Sequence, residues 1–258
     1  MDKLLIEAEF CSLVEAGLVF YGEEQKLIWY LDQGLKFQFL LTSALAKKPT
    51  IQTAGAQTQQ YNEHSQQKRD GSDINTAGYE ICEVGRTHVL VANKFCFANP
   101  HLMLLALNGH QRQYEALNKD DLAAAWGVLS TMGEDYVAFF SCGRDGGCSR
   151  LHKHMQLIPK PNDSFASFLD ADGAKDPDVP FQWFYHRFGD SKPGVDDLVN
   201  IYNDLLGKRE MWAFIYLKPS PTIVTWRIMI PAMSDFEVQG KPLRLGNFHF
   251  RLDKTSQI

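Results

Sequence analysis

A mixed fold of helices and strands is what this sequence predicts, and three observations carry the prediction. Three stretches, 3–18, 118–133 and 195–206, repeat apolar residues at the spacing of a helix that buries one side. Between and after them come short runs rich in β-branched and aromatic residues, bounded by turn-forming Gly, Pro, Asn or Asp. With 258 residues, 45% hydrophobic and 22% charged, the chain can bury a substantial core and has the make-up of an ordinary globular protein. No internal repeat interrupts this order.

In the first helix Leu4, Leu5, Ala8, Cys11, Leu13, Val14 and Leu18 mark the packing side, and Gly17 stops it. Residues 26–31 and 35–41 are strand-like runs joined by Asp32-Gln33-Gly34, which has hairpin chemistry. Ala46-Lys47-Lys48-Pro49 follows, a solvated turn or, beside a phosphate site, an electrostatic clamp. From Thr50 to Gly78 almost nothing is apolar, so this polar insertion reads as a loop or mobile segment. Strands resume at 79–84 and at 87–95, the second ending in Asn93-Lys94, polar groups at a strand end where sites tend to form. Residues 101–107 read as the next strand, although their composition would also suit a helix. Asn118 caps the middle helix, Asp120 and Asp121 favour its first turn, and Leu122, Ala123, Trp126, Leu129 and Met132 recur before Gly133. Residues 136–140 form a strand that returns through the glycine-rich turn 143–149 to an antiparallel neighbour at 149–159. A loop-like stretch to Pro180 precedes residues 181–188, the helix at 195–206 and closing strands at 212–217 and 222–230. The last twenty or so residues show no pattern.

A net charge of -5 argues against general binding to nucleic acid or an anionic membrane. Five scattered cysteines without a Cys-x-x-Cys spacing argue against a disulfide framework or a zinc ribbon, and for a reducing compartment. Acidic residues interrupt the N-terminus too early for a signal peptide, and no apolar run reaches the roughly 20 residues of a membrane span. These features place the chain in the cytoplasm, with the nucleus also open to it.

The stretch 149–159 carries the chemistry. Along an extended chain His152, His154 and Gln156 share one face, with roughly 7 Å between neighbours two apart, and Pro159 ends the strand. The turn before it, with Gly143, Arg144, Gly146 and Gly147, has the backbone freedom to bring N–H groups to an anion. Three chemistries fit this face: imidazoles satisfied within a sheet, a zinc pair lacking further ligands, or an imidazole attacking phosphorus while an amide steadies an oxygen. The third suits histidine because its ordinary pKa near 6.5 leaves a neutral nucleophilic ring at cellular pH.

Ser149 to Gln156, with its His-x-His-x-Gln core, resembles the nucleotidyltransferase branch of the histidine triad superfamily, and most closely the fungal ATP adenylyltransferases, or diadenosine tetraphosphate phosphorylases. The resemblance extends to residues 37–49, to 88–101 with Asn93-Lys94-Phe95, and to 180–188, covering most of 11–220 in the family's order. It implies one histidine-triad-like domain over 1–258, similar to galactose-1-phosphate uridylyltransferase: an α+β fold with a mostly antiparallel sheet flanked by helices, a polar insertion at about 50–78 and an atypical tail after about 220.

The resemblance also implies a ping-pong reaction in which His154 takes an adenylyl group from diadenosine tetraphosphate, ATP leaves, and phosphate accepts the adenylyl group to give ADP. Gln156 and Ser149 would hold the α-phosphate and His152 would orient the loop; Gly147 and Ser141 belong to the same substrate site. Lys47, Lys48, Asn93 and Lys94 would contact polyphosphate or ribose. No tightly bound cofactor or protein-held metal is implied, although Mg2+ would screen the substrate's charge. Expected partners are the nucleotides and phosphate, with no nucleic acid and no membrane. Ser141 stands where the family usually has asparagine, and Ala232 where its W-M-x-x-x-P-R stretch has arginine. Two alternatives follow: a catalytically impaired paralogue that binds adenine dinucleotides, and a related uridylyltransferase.

Overall fold

The computed structural model describes residues 1–21, 25–32, 35–42, 69–143, 146–160, 182–188, 192–207, 214–218, 222–227, 237–238, 241–242 and 251–253. In chain order these form α1 (Lys3–Glu15), β1 (Phe20–Tyr21), β2 (Gln25–Asp32), β3 (Leu35–Thr42), β4 (Glu80–Val84), β5 (His88–Ala92), β6 (Phe95–Cys96), β7 (Leu102–Ala106), α2 (Lys119–Met132), β8 (Tyr136–Ser141) and β9 (His154–Pro159). Then come β10 (Gln182–Arg187), α3 (Val195–Gly207), β11 (Phe214–Lys218), β12 (Thr222–Arg227), β13 (Glu237–Val238), β14 (Lys241–Pro242) and β15 (Arg251–Asp253). Lys47 and Lys48, most of the polar insertion, and residues 228–236 with Ala232 lie outside the described residues.

Eight strands make one sheet in the order β10-β12-β11-β8-β9-β7-β5-β4, and every neighbouring pair in it is antiparallel. The expected α+β, mostly antiparallel fold is therefore present. β9 lies near the middle, hydrogen-bonded to β7 on one side and β8 on the other. β2 and β3 form the expected hairpin, and β15, in the tail without a readable pattern, pairs with β3. That pairing joins Leu252 to Phe37, a separation no local pattern could report.

Helices cover one face of the large sheet. Leu122, Ala125, Val128, Leu129 and Met132 of α2 and Leu198, Tyr202 and Leu205 of α3 pack with Leu90, Leu104, Ala138, Phe140, Met155 and Leu157. α1 forms where expected, capped by the Asp2 side chain, but presents a different stripe. Ile6 and Phe10 are the buried anchors, flanked by Leu13 and Val14, whereas Leu4 and Leu5 are 74% and 67% exposed. Spacing of four, three and one from Ile6 places those four residues on one side and turns Leu4 and Leu5 away.

Three charged or titratable groups are buried under the helices. Lys153 Nζ donates to Asp121 Oδ2 at 2.9 Å and to the Ala116 carbonyl at 2.7 Å, while His88 Nε2 lies 3.0 Å from Asp121 Oδ1. Asp121 also completes the α2 capping box with Asn118. Burial by itself would raise the Asp121 pKa, but hydrogen bonds from His88, the Asn118 N–H and Lys153 more than offset it and hold the carboxyl below its ordinary value. Removing that carboxylate strands the Lys153 charge. Asp121→Ala is therefore expected to lose about 3–5 kcal/mol in urea unfolding. Lys119→Ala, which breaks an exposed pair with Asp196, should leave the midpoint unchanged. A loss below about 1 kcal/mol for Asp121→Ala would contradict this reading of the buried group.

Candidate active site

Alternation along β9 sends Lys153, Met155 and Leu157 under the helices and leaves His154 and Gln156 on the opposite face. On that second face Ile74, Val89, Val91 and Leu105 form a smaller apolar cluster beside them. His154 is 7% exposed, and its Nδ1 lies 2.8 Å from the His152 carbonyl oxygen. A carbonyl oxygen only accepts, so Nδ1 carries the ring proton and the lone pair resides on Nε2. Gln113 Oε1 accepts the His154 backbone N–H at 2.7 Å.

His152 is fully buried and precedes β9, bridged to Arg112. Its Nδ1 meets Ser72 Oγ at 2.8 Å, and among the described residues its Nε2 has no hydrogen-bond partner. Burial lowers its pKa, an effect only partly offset by the Ala106 carbonyl and the Asp73 charge. The Asp73 carboxylate accepts from Leu151 N and His152 N, both at 2.8 Å. Burial alone would raise the Asp73 pKa, but these two donors and Arg150 hold it below its ordinary value. Ser72 and Asp73 belong to the stretch read as a loose insertion, and their seating depends on close approach. At Gly109 a Cβ would run into the Asp70 carbonyl, and Arg112 donates to the Gly71 and Gly109 carbonyls at 3.2 and 2.7 Å.

Gln156 Oε1 lies 2.8 Å from His101 Nε2, which also lies 3.0 Å from Asn93 Nδ2. The Asn93 Oδ1 accepts from Phe95 N, and the His101 ring stands edge-on to Phe97. The structure thus brings Asn93 and Gln156 together through His101. Lys94 is placed elsewhere, its ammonium over the Tyr79 ring at 5.4 Å. The Ser141 carbonyl accepts from Gln113 Nε2 at 2.9 Å. Gly147, at φ +84°, lies in the turn closed by Cys148 N donating to the Gly143 carbonyl, and Ser149 follows it half-buried. Among the described residues no three His, Cys, Asp or Glu side chains gather as a metal site, and no helix is long and apolar enough to cross a membrane.

Four residues of this arrangement were not singled out from the sequence: Ser72, Asp73, His101 as a side chain, and Gln113; Ser72, Asp73 and Gln113 carry no local signal there. Only His101 offered one, since it sits at a strand end beside the polar Asn93-Lys94 pair.

Comparisons with known proteins bear on the fold and the family. Diadenosine 5',5'''-P1,P4-tetraphosphate phosphorylase 2 of Saccharomyces cerevisiae is 28% identical over 130 residues, 42% of this chain and 40% of that protein. Protein APA1 of the same yeast is 30% identical over 90 residues, 33% of this chain and 27% of that protein, so the matched stretch spans less than half of either relative. Crystal structures of yeast Ap4A phosphorylase Apa2, alone and in complex with Ap4A, align with TM-scores of 0.62 and 0.64 at 19% identity, over 86% of this chain and 79% of theirs. They share its histidine-triad-like fold. A family model for the Ap4A phosphorylase N-terminal domain matches residues 23–169, more than half of the chain and the whole run from the hairpin through β9. With the fold, the His-x-His-x-Gln strand and this match in agreement, the chain belongs to the Ap4A phosphorylase N-terminal domain family.

Proposed function

We propose that this chain cleaves diadenosine tetraphosphate with inorganic phosphate to ATP and ADP, reversibly, with His154 as the nucleophile. The observation that carries the reading is the Nδ1 contact with the His152 carbonyl, which leaves the Nε2 lone pair as the attacking group. Nε2 bonds to an α-phosphorus while the phosphorus–oxygen bond to ATP breaks, and ATP departs with the electron pair. The ring becomes cationic in the adenylyl-histidine, and its Nδ1–H bond to the carbonyl strengthens as charge develops. A phosphate oxygen then attacks the same phosphorus, the nitrogen–phosphorus bond breaks, and ADP leaves a neutral ring.

In this reading the Gln156 amide and Ser149 hold the non-bridging oxygens, the Gly147 turn contributes backbone N–H, and Ser141 flanks the site. By the family resemblance Asn93 would contact polyphosphate or ribose, as would Lys47 and Lys48, which lie outside the described residues, whereas Lys94 stands over the Tyr79 ring; His152 positions its neighbour through its own carbonyl. A magnesium ion arriving with the polyphosphate would screen its charge, and no protein step is routed through it. Support for the substrate comes from the yeast relative named as a phosphorylase of this dinucleotide, and from Apa2 structures holding Ap4A and AMP.

The chain incubated with diadenosine tetraphosphate labelled at the α-phosphates should take up acid-labile label, and added phosphate should release it as ADP. His154→Ala should abolish both. Retained labelling in that variant would end the nucleophile assignment. Saturable dinucleotide binding without turnover would instead identify a binding paralogue, and labelling by UDP-glucose in its place a uridylyltransferase.

His152 gives a pH expectation. Its folded pKa lies below its ordinary value of 6.5, so below that pH the unfolded chain takes up the proton first. Its share of stability is complete above 6.5 and is lost as pH falls towards the folded value. His152→Asn should therefore narrow the drop in thermal midpoint between about pH 7.5 and about pH 5 relative to the wild type. An unchanged drop would show that this ring does not couple to stability.

A further inference from the structure

We infer that Gln113 is a positioning residue for His154, its side-chain amide standing in for a β8 backbone partner at the point where β8 and β9 part. This rests on the adenylyl-transfer reading of His154. Pairing between β8 and β9 runs from Tyr136↔Pro159 to Phe139↔Gln156 and ends there. Two residues further in the same register, Ser141 would stand opposite His154. Gln113 lies between them instead. Its Nε2 donates to the Ser141 and His154 carbonyls, both at 2.9 Å, and its Oε1 accepts from His154 N at 2.7 Å.

A residue in a strand points its N–H and C=O to the same side, so the planar amide engages His154 as a neighbouring peptide group would. Gln113's own backbone extends the tie, its N–H donating to the Leu151 carbonyl at 2.8 Å and its carbonyl accepting from Gly143 N at 3.1 Å. At 1% exposure these five hydrogen bonds are shielded from water. They join the end of β8, the start of the glycine turn and the backbone on both sides of His152. The His152 carbonyl that accepts from the nucleophile's Nδ1 lies inside that clamped segment. Only a primary carboxamide of this length fits: glutamate has no donor, methionine has neither group, and asparagine is one methylene short.

The test uses the full chain and three variants: Gln113→Met, Gln113→Asn, and Leu129→Ala as a destabilised control buried in α2. Single-turnover adenylyl transfer at saturating dinucleotide, AMP affinity and amide hydrogen exchange at His154 are measured where each variant is folded. Gln113→Met should slow transfer by about 100-fold, with AMP affinity within about 3-fold of wild type, because misplacement by a fraction of an ångström acts on the reacting geometry more than on binding. Exchange at the His154 N–H should rise in that variant by more than at the other β9 amides, while in Leu129→Ala the transfer rate stays at the wild-type value and the β9 amides change together. Gln113→Asn reports the same quantities should Gln113→Met fail to fold. A loss confined to affinity, an equal loss in Leu129→Ala, or unchanged His154 exchange would each overturn the assignment. If the wild type itself transfers no adenylyl group, the proposed function fails, and exchange at His154 still decides whether Gln113 holds that strand.

Discussion

The contact between His154 Nδ1 and the His152 carbonyl is the interaction on which the account of this molecule depends. Two residues of one extended chain supply both ends of it, so the tautomer is set by local backbone geometry and needs no carboxylate beside the ring. The arrangement succeeds only if the peptide from Leu151 to His154 stays in one conformation. Much of the surrounding structure meets that requirement. Asp73 accepts the N–H groups of Leu151 and His152, Gln113 engages both backbone groups of His154, and Gln111 O accepts the Lys153 N–H at 3.0 Å.

The strand is also fixed from the covered side. Lys153 stands between the two histidines and points the other way, into the carboxylate that caps α2. A buried ion pair of this kind adds little net stability compared with apolar packing, but it opposes a register slip. A shift of one residue would bring the ammonium to the opposite face, beside Val89, Val91 and Leu105, and His154 into the apolar layer of Met155, Leu157 and α2. The same three-residue stretch thereby specifies the sheet's register and the direction of the His154 ring.

Much of this was legible in the residues. The period-two pattern from His152 to Leu157 put His154 and Gln156 on one face, Asn118 and Asp121 marked the start of α2, and the hairpin at 32–34 was readable from its turn chemistry. Other features were not, for physical reasons. Asp73 and Ser72 reach the site through a close approach at Gly109 that no periodicity encodes. Gln113 acts through side-chain hydrogen bonds to strands 28 and 41 residues away. The α1 face was misassigned because Leu4 and Leu5, the most apolar pair in its first turn, lie outside the stripe that Ile6 and Phe10 define. In each case a non-local contact decided the outcome.

The tautomer of His154 tests the central claim most directly. Chemical shifts of 15N in the His154 imidazole of the full chain, assigned by its absence in a His154→Asn sample, would report which nitrogen carries the proton at about pH 8, above the ordinary imidazole range. The account predicts a protonated Nδ1 and an unprotonated Nε2. A proton on Nε2 would contradict it, because the lone pair would then face a carbonyl oxygen and the nitrogen meant to attack phosphorus would have none to offer.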